Sequence, residues 1–172
     1  TPPAQGIPDG ELPLGTYHVT YGGMDLSFEV DAPGWRGTQF ADGVELVRQG
    51  NAGGIVTMTH FVGDLFTDPC SADGTTKVEV TAQALIDGLV ANRELRAEAP
   101  VAVKLAGSDA IQLDVSADVP PACPDRPRIW LWALPVVGDF HIDEQEVARF
   151  IAADIDDKAA VVIVESFAGG DH

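Results

Sequence analysis

The stretch TAQALIDGLVANRELR, Thr81 to Arg96, decides the fold class, because it alone carries a helical period. Ala82, Leu85, Ile86, Leu89 and Val90 recur at spacings of three and four, giving one apolar stripe for a helix over about 81–96. Thr81 is placed to cap its first turn. Gly88 costs this helix about 1 kcal/mol against alanine and leaves room for close approach of a sheet. Pro100 closes the segment, since the residue before a proline is pushed out of the helical region.

Outward from the helix the period changes from 3.6 to 2. Upstream, Tyr17, Val19 and Tyr21 alternate, as do Met24, Leu26, Phe28 and Val30, around Gly22-Gly23, which reads as a hairpin. Pro33-Gly34 ends that pair and sets Trp35 at a turn. Strand signals resume at Val44–Val47 and at Ile55–Val62, where both faces carry apolar residues, as expected of a central strand. The segment GDLFTDPCSADGTTK reads as a long polar loop. Downstream, Val101, Val103 and Leu105 alternate, then Ile111, Leu113 and Val115 after a turn at Gly107-Ser108. The run RIWLWAL (128–134) reads as another strand. EVARFIAADI and AAVVIVESF form a hairpin across Asp156-Asp157. Many strands and one helix make an α+β domain, a largely antiparallel β-sheet with the main helix packed on it. Residues 1–14, rich in Pro and Gly, read as an N-terminal linker, and 15–172 as a single α+β domain.

Composition narrows the function. The 172 residues hold 27 Asp and Glu against 10 Lys and Arg, a formal net charge of −17. That balance opposes binding to nucleic-acid phosphates and to anionic membrane surfaces. No apolar run approaches the roughly 18 residues of a spanning helix, so no direct membrane insertion by this segment is expected. The two cysteines, Cys70 in TDPCSADG and Cys123 in PPACPDRP, lie in polar loop sequence rather than on apolar stripes. They read as a disulfide, against alternatives of unpaired thiols or a metal site lacking close Cys/His pairs. A disulfide implies an oxidising compartment, so an extracellular or cell-envelope-anchored location is expected. The Pro/Gly start is of the kind that follows a removed signal or anchor, and the chain is expected to continue beyond His172.

The order of segments resembles that of a known architecture. LSFEVDAPGW resembles the strand and Pro-Gly-Trp opening of PsbP-like domains. The GTY start, the DPC loop, Gly107–Val115, the loop cysteine, the Trp-bearing strand and the VVIVES strand together resemble an actinobacterial secreted or lipoprotein domain of unknown function. The resemblance runs from about Gly15 to Phe167 and implies an antiparallel sheet covered by helices. It implies no catalytic residues. PsbP-like domains carry a C-terminal helix after the last strand, and that helix is expected to be missing here.

Residues able to carry chemistry are few. No serine lies in G-x-S-x-G. His18, His60 and His141 fall on strands, where a pair with a carboxylate would suit a transition metal but a satisfied strand histidine is the commoner case. Asp64, Asp68 and Asp73 crowd the loop around Cys70 and offer oxygen for calcium, without the spacing of a calcium-binding loop. Solvated turns are the plainer reading of the same residues. No other cofactor is implied. Trp130 and Trp132, two apart, share one side of a strand. They form either a ligand platform, with His60 as a polar neighbour, or core beneath the helix. The function expected is a secreted or envelope binding or accessory domain without evident catalytic machinery, with an envelope protein or small molecule as partner. The alternatives are a hydrolase or metal-dependent enzyme assembled from distant His and Asp residues, and a structural spacer.

Overall fold

A computed structural model describes residues 6–49, 53–117, 123, 128–134, 139–144 and 146–167. Strands β1 (Gly10–Glu11), β2 (Gly15–Tyr21), β3 (Met24–Val30), β4 (Trp35–Gln39), β5 (Gly43–Arg48) and β6 (Gly54–Phe61) come first. The hairpin β7 (Asp64–Phe66) and β8 (Thr75–Lys77) leads into helix α1 (Ala82–Ala91). Then come β9 (Leu95–Ala97), β10 (Val101–Leu105), β11 (Ser108–Ala117), β12 (Arg128–Ala133), β13 (Asp139–Asp143), β14 (Glu146–Ile155) and β15 (Lys158–Phe167). The described residues are thus mostly antiparallel β with a single short helix, α+β but weighted to β.

Nine strands form one sheet, β1-β4-β5-β6-β15-β14-β11-β10, with β9 also paired to β11. A second sheet runs β13-β12-β7-β8, and β2-β3 stands as a two-stranded ribbon. Three hairpins turn on two residues with positive φ: Gly22-Gly23, Ala106-Gly107 and Asp156-Asp157. Such turns match the natural twist of the paired strands, and Asp tolerates the left-handed region better than most residues. The middle hairpin turns one residue earlier than Gly107-Ser108, because Ser108 already pairs with Leu105.

Alternation along the central strands gives the large sheet two apolar faces. On one, Phe61, Leu113, Phe150, Val161 and Ile163 meet Leu85, Ile86 and Leu89 of α1 together with Ile129, Trp132 and Ile142 of the second sheet. On the other, Val44, Leu46, Met58 and Ala160 meet Val19, Tyr21, Met24 and Val30 of the ribbon. The sheet is a middle layer.

The helix ends at Ala91, five residues before Arg96. Asn92 leaves the helical region, and Arg96, in β9, instead pairs with Ser116 of β11. Val90, placed on the stripe by its spacing, is exposed. Thr81 caps as expected, its hydroxyl accepting the Ala84 amide at 3.1 Å. Asp154 Oδ1, from the far end of β14, accepts the Ala82 amide at 2.8 Å. Gly88 lies where an added Cβ would stand 2.4 Å from Leu65 Cδ1, so it admits the second sheet rather than the first.

Three further expectations are corrected. The segment after Val62 is not all loop, since β7 and β8 pair within it. Trp35 lies in β4, opposite Arg48, rather than in a turn. Residues 6–14 are not a free linker: Ile7 and Leu12 are buried in the second core and β1 pairs with β4. Their apolar side chains fill the space over Gly37. Residues 1–5 and the segment after Phe167, where the resemblance places a helix, lie outside the described residues. Cys70 and Cys123 form a disulfide that ties the β7–β8 loop to the connection between β11 and β12.

Candidate functional site

A cavity of about 280 Å³ opens where β13 passes over the β5–β6–β15 part of the large sheet. Register explains its floor. Glu45 stands opposite Thr57, and Glu165 stands between Ile55 on β6 and Ala148 on β14, so all project to the same face. Glu146, paired with Phe167, is two residues along from Ala148 and therefore a diagonal neighbour of Glu165. Phe140, His141 and Asp143 supply the facing wall.

Glu146 is 4% exposed and Glu165 7% exposed. Two buried carboxyls in contact do not both ionise. Burial, the hydrogen bond with Glu146, and the charges of Glu146, Glu45 and Asp143 push the Glu165 carboxyl up to about 9. Glu165 is therefore protonated at neutral pH and donates in its hydrogen bond to Glu146. Glu146 Oε2 also accepts the Asp143 amide at 2.8 Å, which fixes β13 to the floor. Asp143 is in turn held by Arg128 at 2.8 Å. The result is a half-open hollow with apolar walls, a shared proton at its base and an excess of negative charge.

Of the residues singled out in the sequence, His141 lines this cavity, but Trp130, Trp132, His60 and the Asp64–Asp73 cluster do not converge there. His60 lies on the opposite face of β6 from Thr59, beneath the Gly22-Gly23 turn. Burial and then the Lys158 ammonium lower its pKa, while the charge of Asp42 and its backbone hydrogen bond oppose them. Lys158 donates to the Gly22 carbonyl, closing that corner.

Trp130 and Trp132 do not share a side. The β12–β13 register shifts between them, so Trp130 faces His141 while Trp132 faces Phe140. A bulge inserts one residue and reverses the alternation beyond it. Trp132 is fully buried among Phe61, Phe140 and Phe150. Trp130 packs instead on Phe66 and His141 with Arg128 over its ring. Its His141 neighbour lines the cavity.

Asp64, Asp68 and Asp73 occupy the disulfide hairpin, each with a local partner. Asp64 pairs with Lys77, Asp68 Oδ1 accepts the Cys70 amide, and Asp73 accepts the Ser71 hydroxyl. Among the described residues no group of three or more His, Cys, Asp or Glu is arranged to hold a metal ion.

Glu45, Glu146 and Glu165 did not stand out in the sequence as site residues. The signal was present. Glu146 and Glu165 each fall on the inward-facing period of a strand whose other inward residues are apolar, and a charge there marks a site. Comparison with protein-family models, with curated proteins and with solved structures returned no match for this chain.

Proposed function

We propose that this chain is a binding or accessory module of the cell envelope, PsbP-like in layout, that takes a small cationic and partly apolar ligand between β13 and the large sheet. The observation that carries the reading is the buried Glu146–Glu165 pair at the base of a hollow walled by Phe40, Ile55, Leu134 and Phe140. Ligand sites are commonly apolar hollows with a few convergent polar groups of shifted pKa. An ammonium group entering here meets Glu146, Glu45 and Asp143 and displaces the shared proton. The disulfide supports an oxidising location outside the cytoplasm.

Calorimetric titration with arylalkylamines and the corresponding alcohols tests this. The amines are expected to bind and the alcohols to give no heat, with Glu146→Gln weakening the amines at least tenfold. Equal binding of alcohols and amines would overturn the reading.

One observation favours a second reading, a hydrolase built from distant residues. His141 and the protonated Glu165 line the same cavity, and a neutral carboxyl at pH 7 is a proton donor. Turnover of an ester or glycoside panel that disappears in Glu165→Gln would establish it.

A further inference from the structure

A second hollow lies between α1 and the β7–β8 hairpin, away from the Glu146–Glu165 pair. It measures about 450 Å³, within the range of about 300–1,000 Å³ usual for small-molecule sites. Leu65, Val78, Leu89 and Leu131 form its interior. Gly88 keeps the helix surface low on this side, because any side chain there would displace Leu65 from the wall.

The rim is formed by the residues just after α1. Its backbone is satisfied internally: the Asn92 amide donates to the Leu89 carbonyl, and Asn92 Oδ1 accepts the Glu94 amide at 3.0 Å. Arg93 is different. It lines the rim, is exposed, and has no carboxylate partner among the described residues. In a chain with 27 acids and 10 bases, Lys77, Lys104, Arg128 and Arg149 each pair with an acid. An unpaired guanidinium beside an apolar hollow is complementary to a ligand with a carboxylate at one end and a hydrocarbon chain at the other.

We propose that the cavity between α1 and the β7–β8 hairpin binds a single-chain aliphatic carboxylate, its alkyl chain among Leu65, Val78, Leu89 and Leu131 and its carboxylate on Arg93. The guanidinium fork matches a carboxylate in two parallel hydrogen bonds, which an ammonium group or a neutral headgroup does not offer. The alkyl chain gains by leaving water, and the gain grows with each methylene that fits inside.

The test uses the intact, oxidised protein in calorimetric titrations with octanoate, decanoate and dodecanoate below their micelle concentrations, and with dodecyltrimethylammonium. The carboxylates are expected to bind one per chain, with affinity rising about fourfold per methylene until the cavity is full. Dodecyltrimethylammonium is expected to bind at least tenfold more weakly than dodecanoate, and Arg93→Gln to weaken dodecanoate about tenfold. Thr76→Trp, at an exposed position of β8 that lines the same hollow, is expected to abolish binding while leaving the melting temperature unchanged. Both substitutions are on exposed residues, so the fold survives them, as the melting temperature will report. Absence of heat with every carboxylate, affinity independent of chain length, or dodecanoate binding unaltered by Arg93→Gln or by Thr76→Trp would each overturn the proposal.

Discussion

Glu165 and Glu146, diagonal neighbours on β15 and β14, are joined by a hydrogen bond at the buried floor of the cavity beneath β13, with the proton on Glu165. In the unfolded chain Glu165 would titrate as an ordinary carboxyl, so folding and its protonation are linked.

The sign of that linkage follows from the raised pKa. Between about pH 4.5 and 9 the folded state keeps a proton on Glu165 that the unfolded state has released. Stability contributed at this site is complete below pH 4.5 and is lost as pH rises through about 9, on the order of a few kcal/mol in total. Glu165→Gln is expected to stabilise the protein at pH 8 relative to the parent and to leave pH 5 nearly unchanged. Melting temperatures of both proteins at the two pH values check it, and comparing the pair cancels the general repulsion of a −17 chain.

Cation uptake in the same pocket should release that proton. Amine affinity is then expected to rise from pH 6 to pH 9 in the parent and to lose this dependence in Glu165→Gln. Binding heats measured in buffers of different ionisation enthalpy give the proton count directly.

The Cys70–Cys123 bridge closes a separation of 53 residues. A loop of that length corresponds to about 4 kcal/mol in the chain-entropy account. Replacing both cysteines with serine should lower unfolding stability by about 2–5 kcal/mol, read from denaturant midpoints.

Asp154 reaches across 72 residues of sequence to accept the Ala82 amide. It satisfies one of the four free amides that open every helix. Asp154→Ala is expected to cost about 0.5–2 kcal/mol, with the loss concentrated in α1 amide protection measured by hydrogen exchange.

Leu85 and Ile86 are fully buried between α1 and the large sheet. Either residue changed to Ala should cost about 2–5 kcal/mol, whereas Val90→Ala, on the exposed side, should cost under about 0.5 kcal/mol. Equal losses at Leu85 and Val90 would mean that the helix is rotated from the orientation described.

Much of the fold was legible because it is written in local patterns. The Gly22-Gly23 and Asp156-Asp157 hairpins, the stripe Leu85, Ile86 and Leu89, and the pairing of the two loop cysteines each depend on nearby residues or on a choice between few partners. What was not legible depends on non-local contacts. Residues 6–14 look like a linker until Ile7 and Leu12 find the space over Gly37. Thr75–Lys77 is too short and polar to announce a strand and exists because Asp64–Phe66 lies beside it. Period-two spacing predicted one side for Trp130 and Trp132, and the bulge reversed it. The cavity floor required knowing that β14, β15, β6 and β5 are neighbours, which no single strand discloses.

That bulge gives the molecule two unlike optical reporters on one strand. Trp132, sealed among phenylalanine rings, emits as a core indole and will shift to the red only when the sheets separate. Trp130, against the His141 ring and under the Arg128 guanidinium, sits where its emission reports on those two contacts. On a Trp35→Phe background, a Trp130→Phe variant and a Trp132→Phe variant therefore divide the signal: the first isolates unfolding, the second the edge of the β13 pocket.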